Sequence, residues 1–214
     1  MYQPPHFRET RAGVMHALIR AHPLGLLICN GDDGPLANPL PFLLDSPDGE
    51  TAVLRGHLSR ANPAWRVMQR RPDSPVLVVF QGPQAYVTPS WYETKKQTGK
   101  VVPTWNYVIV QARGRATIVE DTDWLRSQIG ELTDRHEAGR DDTWKVDDAP
   151  DEFVRAQIRG IVGLRIEIAE LDGKWKVSQN RPAADRAGVA TGYGAEGNAS
   201  MEALVRAYGD LGET

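Results

Sequence analysis

The segment Leu54-Arg-Gly-His-Leu-Ser-Arg-Ala-Asn-Pro63 gathers the donors that hold a phosphate. Arg55 and Arg60 offer guanidinium groups, Ser59 a hydroxyl, and the Asn62-Pro63 pair marks a helix start with free backbone N–H groups. Charge-assisted bonds of this kind contribute about 1.5 to 3 kcal/mol each, so two or three would anchor a phosphorylated cofactor. Arg55, Arg60, Arg66, Arg70 and Arg71 lie between Thr51 and Pro72 without an acidic residue among them. The competing reading is a set of solvated surface arginines beside a capping asparagine, with His57 a structural histidine.

A second group is aromatic. Trp91, Tyr92, Trp105 and Tyr107 fall within two nearby segments, Gly82–Tyr92 and Gly99–Tyr107. Flat rings with polar tips suit a planar ligand, and they equally suit a subunit interface. Lys176-Val-Ser-Gln-Asn-Arg-Pro182 is a third group, in which Gln179 and Asn180 could meet the mixed donors and acceptors of a heterocycle or fasten their own turn. Other chemistries lack their residues. There is no Gly-x-Ser-x-Gly elbow, and the five histidines (6, 16, 22, 57 and 136) never take the spacing of a zinc site. No Gly-x-Gly-x-x-Gly follows a strand, and no Walker-type loop occurs. The single Cys29 reads as a small core residue and can form no internal disulfide.

The elements that must position these groups follow from periodicity and turn residues. Glu9–Ala21 has helical spacing and ends at His22-Pro23. Strands are expected at 24–29 and 36–45 around the Asn30–Pro35 turn, the second at an edge or bulge because of Pro39 and Pro41. A turn at 46–50 leads to a strand at 51–57 and a helix at 64–70. A strand at 75–81 should pair with 84–88 across Gly82-Pro83. The segment 89–103 reads as a functional loop, and 104–120 as a long strand bent at Gly114. Helices follow at 122–136 and 151–158, then a hairpin of 161–171 and 174–178 around Asp172-Gly173. Short helices near 183–188 and 200–208 flank a glycine-rich stretch, Gly188–Gly197, read as mobile. Trp124 and Trp144 read as packing residues. Six to eight antiparallel strands with helices at their ends predict a mainly β (α+β) fold, a small barrel decorated by helices.

Composition sets the outer limits. With 214 residues, 41% hydrophobic and 25% charged, the chain can bury a single core and is neither disordered nor collagen-like. Its apolar runs are far shorter than the roughly 20 residues of a membrane span. The sequence opens without the basic start and apolar stretch of a secretory signal, and a cytoplasmic location is expected. A net charge of −3 and a pI near 6.0 give weak support to DNA contact. Glu120–Glu152 carries twelve acids against Arg126, Arg135, Arg140 and Lys145, the pattern of a solvated acidic face.

Taken in order, Met1-Tyr-Gln-Pro-Pro-His-Phe7, Leu54–Pro63, Ala85-Tyr-Val-Thr-Pro-Ser-Trp-Tyr92, Val102-Pro-Thr-Trp-Asn-Tyr107 and Lys176–Pro182 resemble the PaiB-like family of FMN-binding negative transcriptional regulators. The resemblance runs from residue 1 to about residue 190. It implies a split β-barrel related to pyridoxamine phosphate oxidase and flavin reductase barrels, a homodimer, FMN in grooves between protomers, and a role in repressing transcription. Carried over by position, it implies that Arg55, His57, Ser59 and Arg60 hold the flavin phosphate. Leu40 and Phe42 would pass beside the ring, and Trp105, Gln179 and Arg181 would approach it from loops or the partner chain. The implied domain is 1–190, with helical insertions at 121–160 and a tail at 191–214. Two alternatives stay open: a flavin-dependent oxidoreductase using NAD(P)H, with no acid or base to name, and a haem-binding split barrel using His16, His22 or His57.

Overall fold

A computed structural model describes residues 1–46 and 51–211, so the turn expected at 46–50 lies, apart from Ser46, outside the described residues, as does the end of the tail. The order is β1 (Arg8–Glu9), α1 (Ala12–Ala21), β2 (Leu24–Asn30), β3 (Pro35–Pro41), β4 (Leu43–Asp45), β5 (Val53–Ser59), α2 (Ala64–Arg70), β6 (Val76–Val87), α3 (Glu93–Thr98), β7 (Thr104–Val119), α4 (Thr122–Glu137), α5 (Asp151–Arg159), β8 (Ile161–Lys176), α6 (Ala183–Ala195) and α7 (Ala199–Tyr208). The strands run in the order β3-β2-β6-β7-β8-β5-β4, with β1 added to β8. The chain divides into two compact units, one of Met1–Met15, Gln81–Val110 and Asp172–Thr214, the other of His16–Phe80 and Gln111–Leu171.

In the second unit, β2 and β3 pair as a hairpin from Leu24↔Pro41 to Asn30↔Pro35. The strand expected over 36–45 is broken at Phe42, whose N–H donates to the Pro23 carbonyl at 2.9 Å. Its first half, β3, ends the strand order on one side, where prolines have no N–H to leave unpaired. Its second half, β4, pairs with β5 at the other end, Leu43 opposite Arg55. Two strands joined through one residue yet standing at opposite ends of the order require the sheet to curl round on itself. Gly56 makes room for that crossing, since a Cβ there would meet the Pro41 carbonyl at 3.1 Å and the Phe42 ring at 3.2 Å. Phe42 then packs edge-on against Phe80, and Leu27, Leu54, Val78 and Leu164 of the same unit are also buried.

Two expected hairpins are corrected. β6 passes straight through Gly82-Pro83: its buried positions are even-numbered up to Phe80 and odd-numbered at Val87, so the pair shifts the phase by one residue, as a bulge does, and does not reverse the chain. β8 likewise continues through Asp172-Gly173. Gly173 serves close packing there, because a Cβ would lie 2.7 Å from the Met15 sulfur. Gly114 has the same role in β7, its missing Cβ leaving space for the Glu167 carbonyl 1.9 Å away.

The segment 89–103 is also more ordered than a loop. In the first unit, Thr88 accepts the Ser90 N–H, a 3-10 turn spans Pro89–Trp91, and α3 closes on Gly99 at φ +67°. The stretch read as a mobile glycine-rich tail is the core of α6. Cβ atoms at Gly188 and Gly192 would lie 2.0 Å from the Trp91 carbonyl and 2.3 Å from its ring, so the glycines let Trp91 seat directly on the helix. In the acid-rich insert, Asp121 caps α4 through the Trp124 N–H at 2.8 Å. Leu125, Val146, Val154 and Ile158 form a small core with Trp124 packed against it. Trp144, expected to pack, is 48% exposed.

Candidate functional site

In the second unit, alternation along β5 puts Arg55, His57 and Ser59 on one face and the buried Leu54, Gly56 and Leu58 on the other. The arginine-rich stretch that is acid-free in sequence is not acid-free in space. Arg55 donates through Nε and Nη2 to Asp45 at 2.5 and 2.9 Å, and through Nη2 to Glu131 at 2.5 Å. These bonds hold the Glu131 carboxyl below its usual range. Arg70 and Arg71 both reach Asp32, at 3.1 and 2.5 Å. Arg60 meets Glu120 at 2.6 Å and also donates to the Arg159 and Ile161 carbonyls at 3.2 and 3.3 Å. Its guanidinium is therefore fixed in direction while 36% of the side chain stays exposed.

His57 Nδ1 lies 2.8 Å from Oε1 of Gln128, a residue without exposed surface on α4. Beyond Arg60 the strand turns into α2. The Ser59 Oγ accepts the Ala61 N–H, the Asn62 Oδ1 accepts the Ala64 N–H at 3.0 Å, and the Trp65 indole N–H donates to the Arg60 carbonyl at 3.0 Å. Arg66 lies over the Trp65 ring, its guanidinium carbon 4.5 Å from the centroid. Ser59 and Arg66 are exposed. Together these groups form a strand-to-helix junction able to bind an oxyanion. Leu40 and Phe42 point elsewhere, into the interior, 9% and 1% exposed.

Trp105, Gln179 and Arg181 belong to the first unit. Trp105 is 51% exposed and meets Tyr86 edge-on, so these two rings offer aromatic surface. Tyr92 is buried, which pushes its phenol upward, and the Arg181 guanidinium lies over its ring at 4.6 Å. Gln179 fastens its own turn, its amide donating to the Trp175 carbonyl at 2.5 Å and accepting the Val177 N–H at 2.8 Å. That turn holds Ser178 at φ +68°, an unfavourable backbone for serine, clamped by the Asn106 amide on Ser178 Oγ at 2.9 Å.

Lys174 and Lys176 share one face of β8. Lys174, 8% exposed, donates to the Tyr2 carbonyl at 3.1 Å, and Lys176 donates to Thr104 Oγ1 at 2.6 Å and to the Trp105 carbonyl. Both ammonium groups lie over the Tyr107 ring, at 5.3 and 6.0 Å. Among the described residues neither has a carboxylate at ion-pair distance. Burial pushes the Lys176 ammonium downward, and Lys174 and Arg181 add repulsion. Such a surface suits a planar, electron-rich or anionic ring.

Sequence reasoning missed Gln128, Asn106 and Lys174, although the first two carried a signal. Gln128 stands in the apolar stripe of α4 with Leu125, and Asn106 in the buried register of β7 with Val108 and Val110. A polar residue in an apolar register marks a buried hydrogen bond. The carboxylates facing Arg55 and Arg60 had no such mark, because their pairing depends on the tertiary fold. Among the described residues no group of three or more metal-ligating side chains occurs, and no helix is long and apolar enough to cross a membrane.

Comparison with known proteins gives this geometry a context. A family described as "Putative FMN-binding domain" matches residues 1–170. An uncharacterized protein of Emericella nidulans is 36% identical, the match covering 99% of this chain and 98% of that protein. "Protease synthase and sporulation protein PAI 2" of Bacillus subtilis is 31% identical, covering 86% of this chain and 85% of that one. The FAD and heme binding protein from Mycobacterium smegmatis superposes with a TM-score of 0.57 at 19% identity, over 79% of this chain and 73% of that one. This last likeness speaks to the fold, a split β-barrel.

Proposed function

Because the chain belongs to the FMN-binding domain family, we propose that it works as an FMN-binding homodimer with a regulatory output. The observation that carries the reading is the junction after β5, where the exposed Ser59 hydroxyl stands next to an Arg60 guanidinium held in place by Glu120 and two carbonyls. That donor set fits the phosphate of a flavin nucleotide. In this reading Ser59 and Arg60 bind the phosphate directly. Arg55 and His57, tied to Asp45, Glu131 and Gln128, keep the β5 face in position. Within the first unit, Trp105 offers aromatic surface and Arg181 with the two lysines offers positive charge. Leu40 and Phe42 shape the barrel wall from inside. Bound FMN would supply the redox chemistry.

Dimerisation is supported by the outer face of the β2–β3–β6 sheet. Leu26 lies opposite Pro39 on one side and Val79 on the other, and Ile28 lies opposite Ala37 and Leu77. Leu24 and Leu26 are 65% and 38% exposed. A continuous apolar row across three strands is the surface a second copy would cover. The regulatory output is proposed from the relative named for protease synthesis and sporulation. With a net charge of −3, that output is assigned to flavin-dependent or partner-mediated action ahead of direct DNA contact.

Titration of FMN into the purified protein, followed by flavin fluorescence and visible absorbance, tests the reading. Quenching that saturates at one flavin per chain is expected, and flavin emission unchanged across the titration overturns it. Lys174, Lys176 and Arg181, none of which has a carboxylate at ion-pair distance among the described residues, favour a second reading, an oxidoreductase in which an electron-rich ring is stabilised. Anaerobic addition of NADH or NADPH to the flavin-loaded protein decides between them. Bleaching of the yellow colour supports the oxidoreductase, and a persistent oxidised spectrum supports the regulator.

A further inference from the structure

The second unit contains a cleft of about 460 Å³ that the reading above does not use in full. Arg60, Arg155 and Arg159 line it together with Glu120, Leu125 and Ile158. Arg155 and Arg159 are four residues apart on α5 and so share one face of the helix. Neither has a carboxylate at ion-pair distance among the described residues, although the preceding segment is the most acidic in the chain. Asp151, four residues before Arg155 and spaced to pair with it, is engaged by Arg126 at 3.4 Å. Glu120 is taken by Arg60 at 2.6 Å. Like charges at this spacing cost a few tenths of a kcal/mol on a helix. The lining carries three guanidinium groups against one carboxylate, leaving two positive charges, which match a phosphate monoester near neutral pH. The buried Leu125 and Ile158, 1% and 3% exposed, give the floor apolar character for the organic part of such a ligand.

We propose that Arg155 and Arg159, together with Arg60, form a seat for a phosphate monoester. The phosphate is either that of FMN itself, in which case the seat rests on the flavin reading, or that of a separate phosphorylated small molecule. Both demand the same contacts, a rigid Arg60 and two guanidinium forks projecting from α5.

The test uses the full chain and an Arg155→Gln/Arg159→Gln variant. Inorganic phosphate is titrated by calorimetry at constant ionic strength, and FMN and riboflavin affinities are compared by flavin fluorescence. Both substituted side chains are exposed, so the fold should survive, which thermal unfolding checks. The parent is expected to bind phosphate, with binding weakened about tenfold or more in the variant. If the variant also loses its preference for FMN over riboflavin, the seated phosphate is the flavin's. If that preference is kept while phosphate binding falls, the ligand is a separate molecule. A parent that binds phosphate more tightly than the variant but binds neither flavin leaves the seat standing and removes the flavin reading. The proposal is overturned if parent and variant bind phosphate equally and discriminate FMN from riboflavin equally, or if the parent does neither.

Discussion

Replacing Glu9 by glutamine should expose how the C-terminal helix is held in the first unit. The Glu9 side chain is 4% exposed, and its two oxygens accept four hydrogen bonds. The Arg11 backbone N–H and Nε donate to Oε1 at 2.8 and 2.9 Å, and Arg11 Nη2 and the Tyr208 hydroxyl donate to Oε2, each at 2.6 Å. Tyr208 closes α7 and stacks on Trp175. The Arg11 hydrogen bonds, helped by Tyr208 and opposed by burial, pull the Glu9 carboxyl down to about 2 from an ordinary 4.5. A depressed carboxylate stabilises the folded state above its unfolded value and loses that contribution as pH falls through the folded one. Between those two values the linkage is worth about 3 kcal/mol, fully present near neutral pH. Glu9→Gln is therefore expected to lower the urea unfolding free energy by about 3 kcal/mol at neutral pH, with the gap closing between about pH 4.5 and pH 2. Arg11 is 65% exposed, so added salt should narrow the gap. A gap constant across that pH range would show that packing, not charge, holds the helix. Equal stabilities at neutral pH would refute the linkage altogether.

Other substitutions separate scaffold from site. Arg55→Ala removes a side chain that is 15% exposed from two carboxylates that are about half exposed, so a loss of about 1 to 3 kcal/mol in urea unfolding is expected, between the values for exposed and buried pairs. Its effect on FMN affinity should be smaller than that of Arg60→Ala, for which a loss of about 1.5 to 3 kcal/mol is expected by fluorescence titration. Gly192→Ala should cost about 1 to 3 kcal/mol because its Cβ meets the Trp91 ring at 2.3 Å, whereas Gly13→Ala, in open space on α1, should stabilise by about 0.5 to 1 kcal/mol. Leu26→Asp on the outer sheet face should convert a dimer to a monomer in light scattering, and an unchanged mass would place the interface elsewhere.

The elements were largely legible because each is announced locally. Helical spacing, an aspartate or asparagine cap and a turn rich in glycine are all properties of a few adjacent residues. The two misread hairpins show the limit. Gly82-Pro83 and Asp172-Gly173 are turn dipeptides by composition, yet one carries a phase shift within β6 and the other admits Met15 to β8. The misread tail fails for the same reason. Gly188 and Gly192 look like flexibility until Trp91 is seated on them. A glycine records only that no side chain fits, and whether the cause is a turn or a neighbour is decided by residues far along the chain.

The site was legible in its donors and not in their partners. Five arginines without an intervening acid suggested an open anion site, but folding brings Asp45, Glu131, Glu120 and Asp32 to four of them. Those pairs divide the cluster by physical role. A guanidinium held by two carboxylates, as in Arg55, has spent its charge on the fold and offers little to a ligand. One held by a single carboxylate and two carbonyls, as in Arg60, is oriented but still positive toward the side it leaves open. Arg155 and Arg159 drew no attention in the sequence, since they follow directly on the most acidic stretch of the chain. With Asp151 engaged by Arg126 and Glu120 by Arg60, they are the guanidinium groups lining that cleft that have no acid at ion-pair distance among the described residues. Local charge in a folded protein is therefore set by which pairs form first in space, and an anion is expected where pairing leaves a surplus on rigid supports.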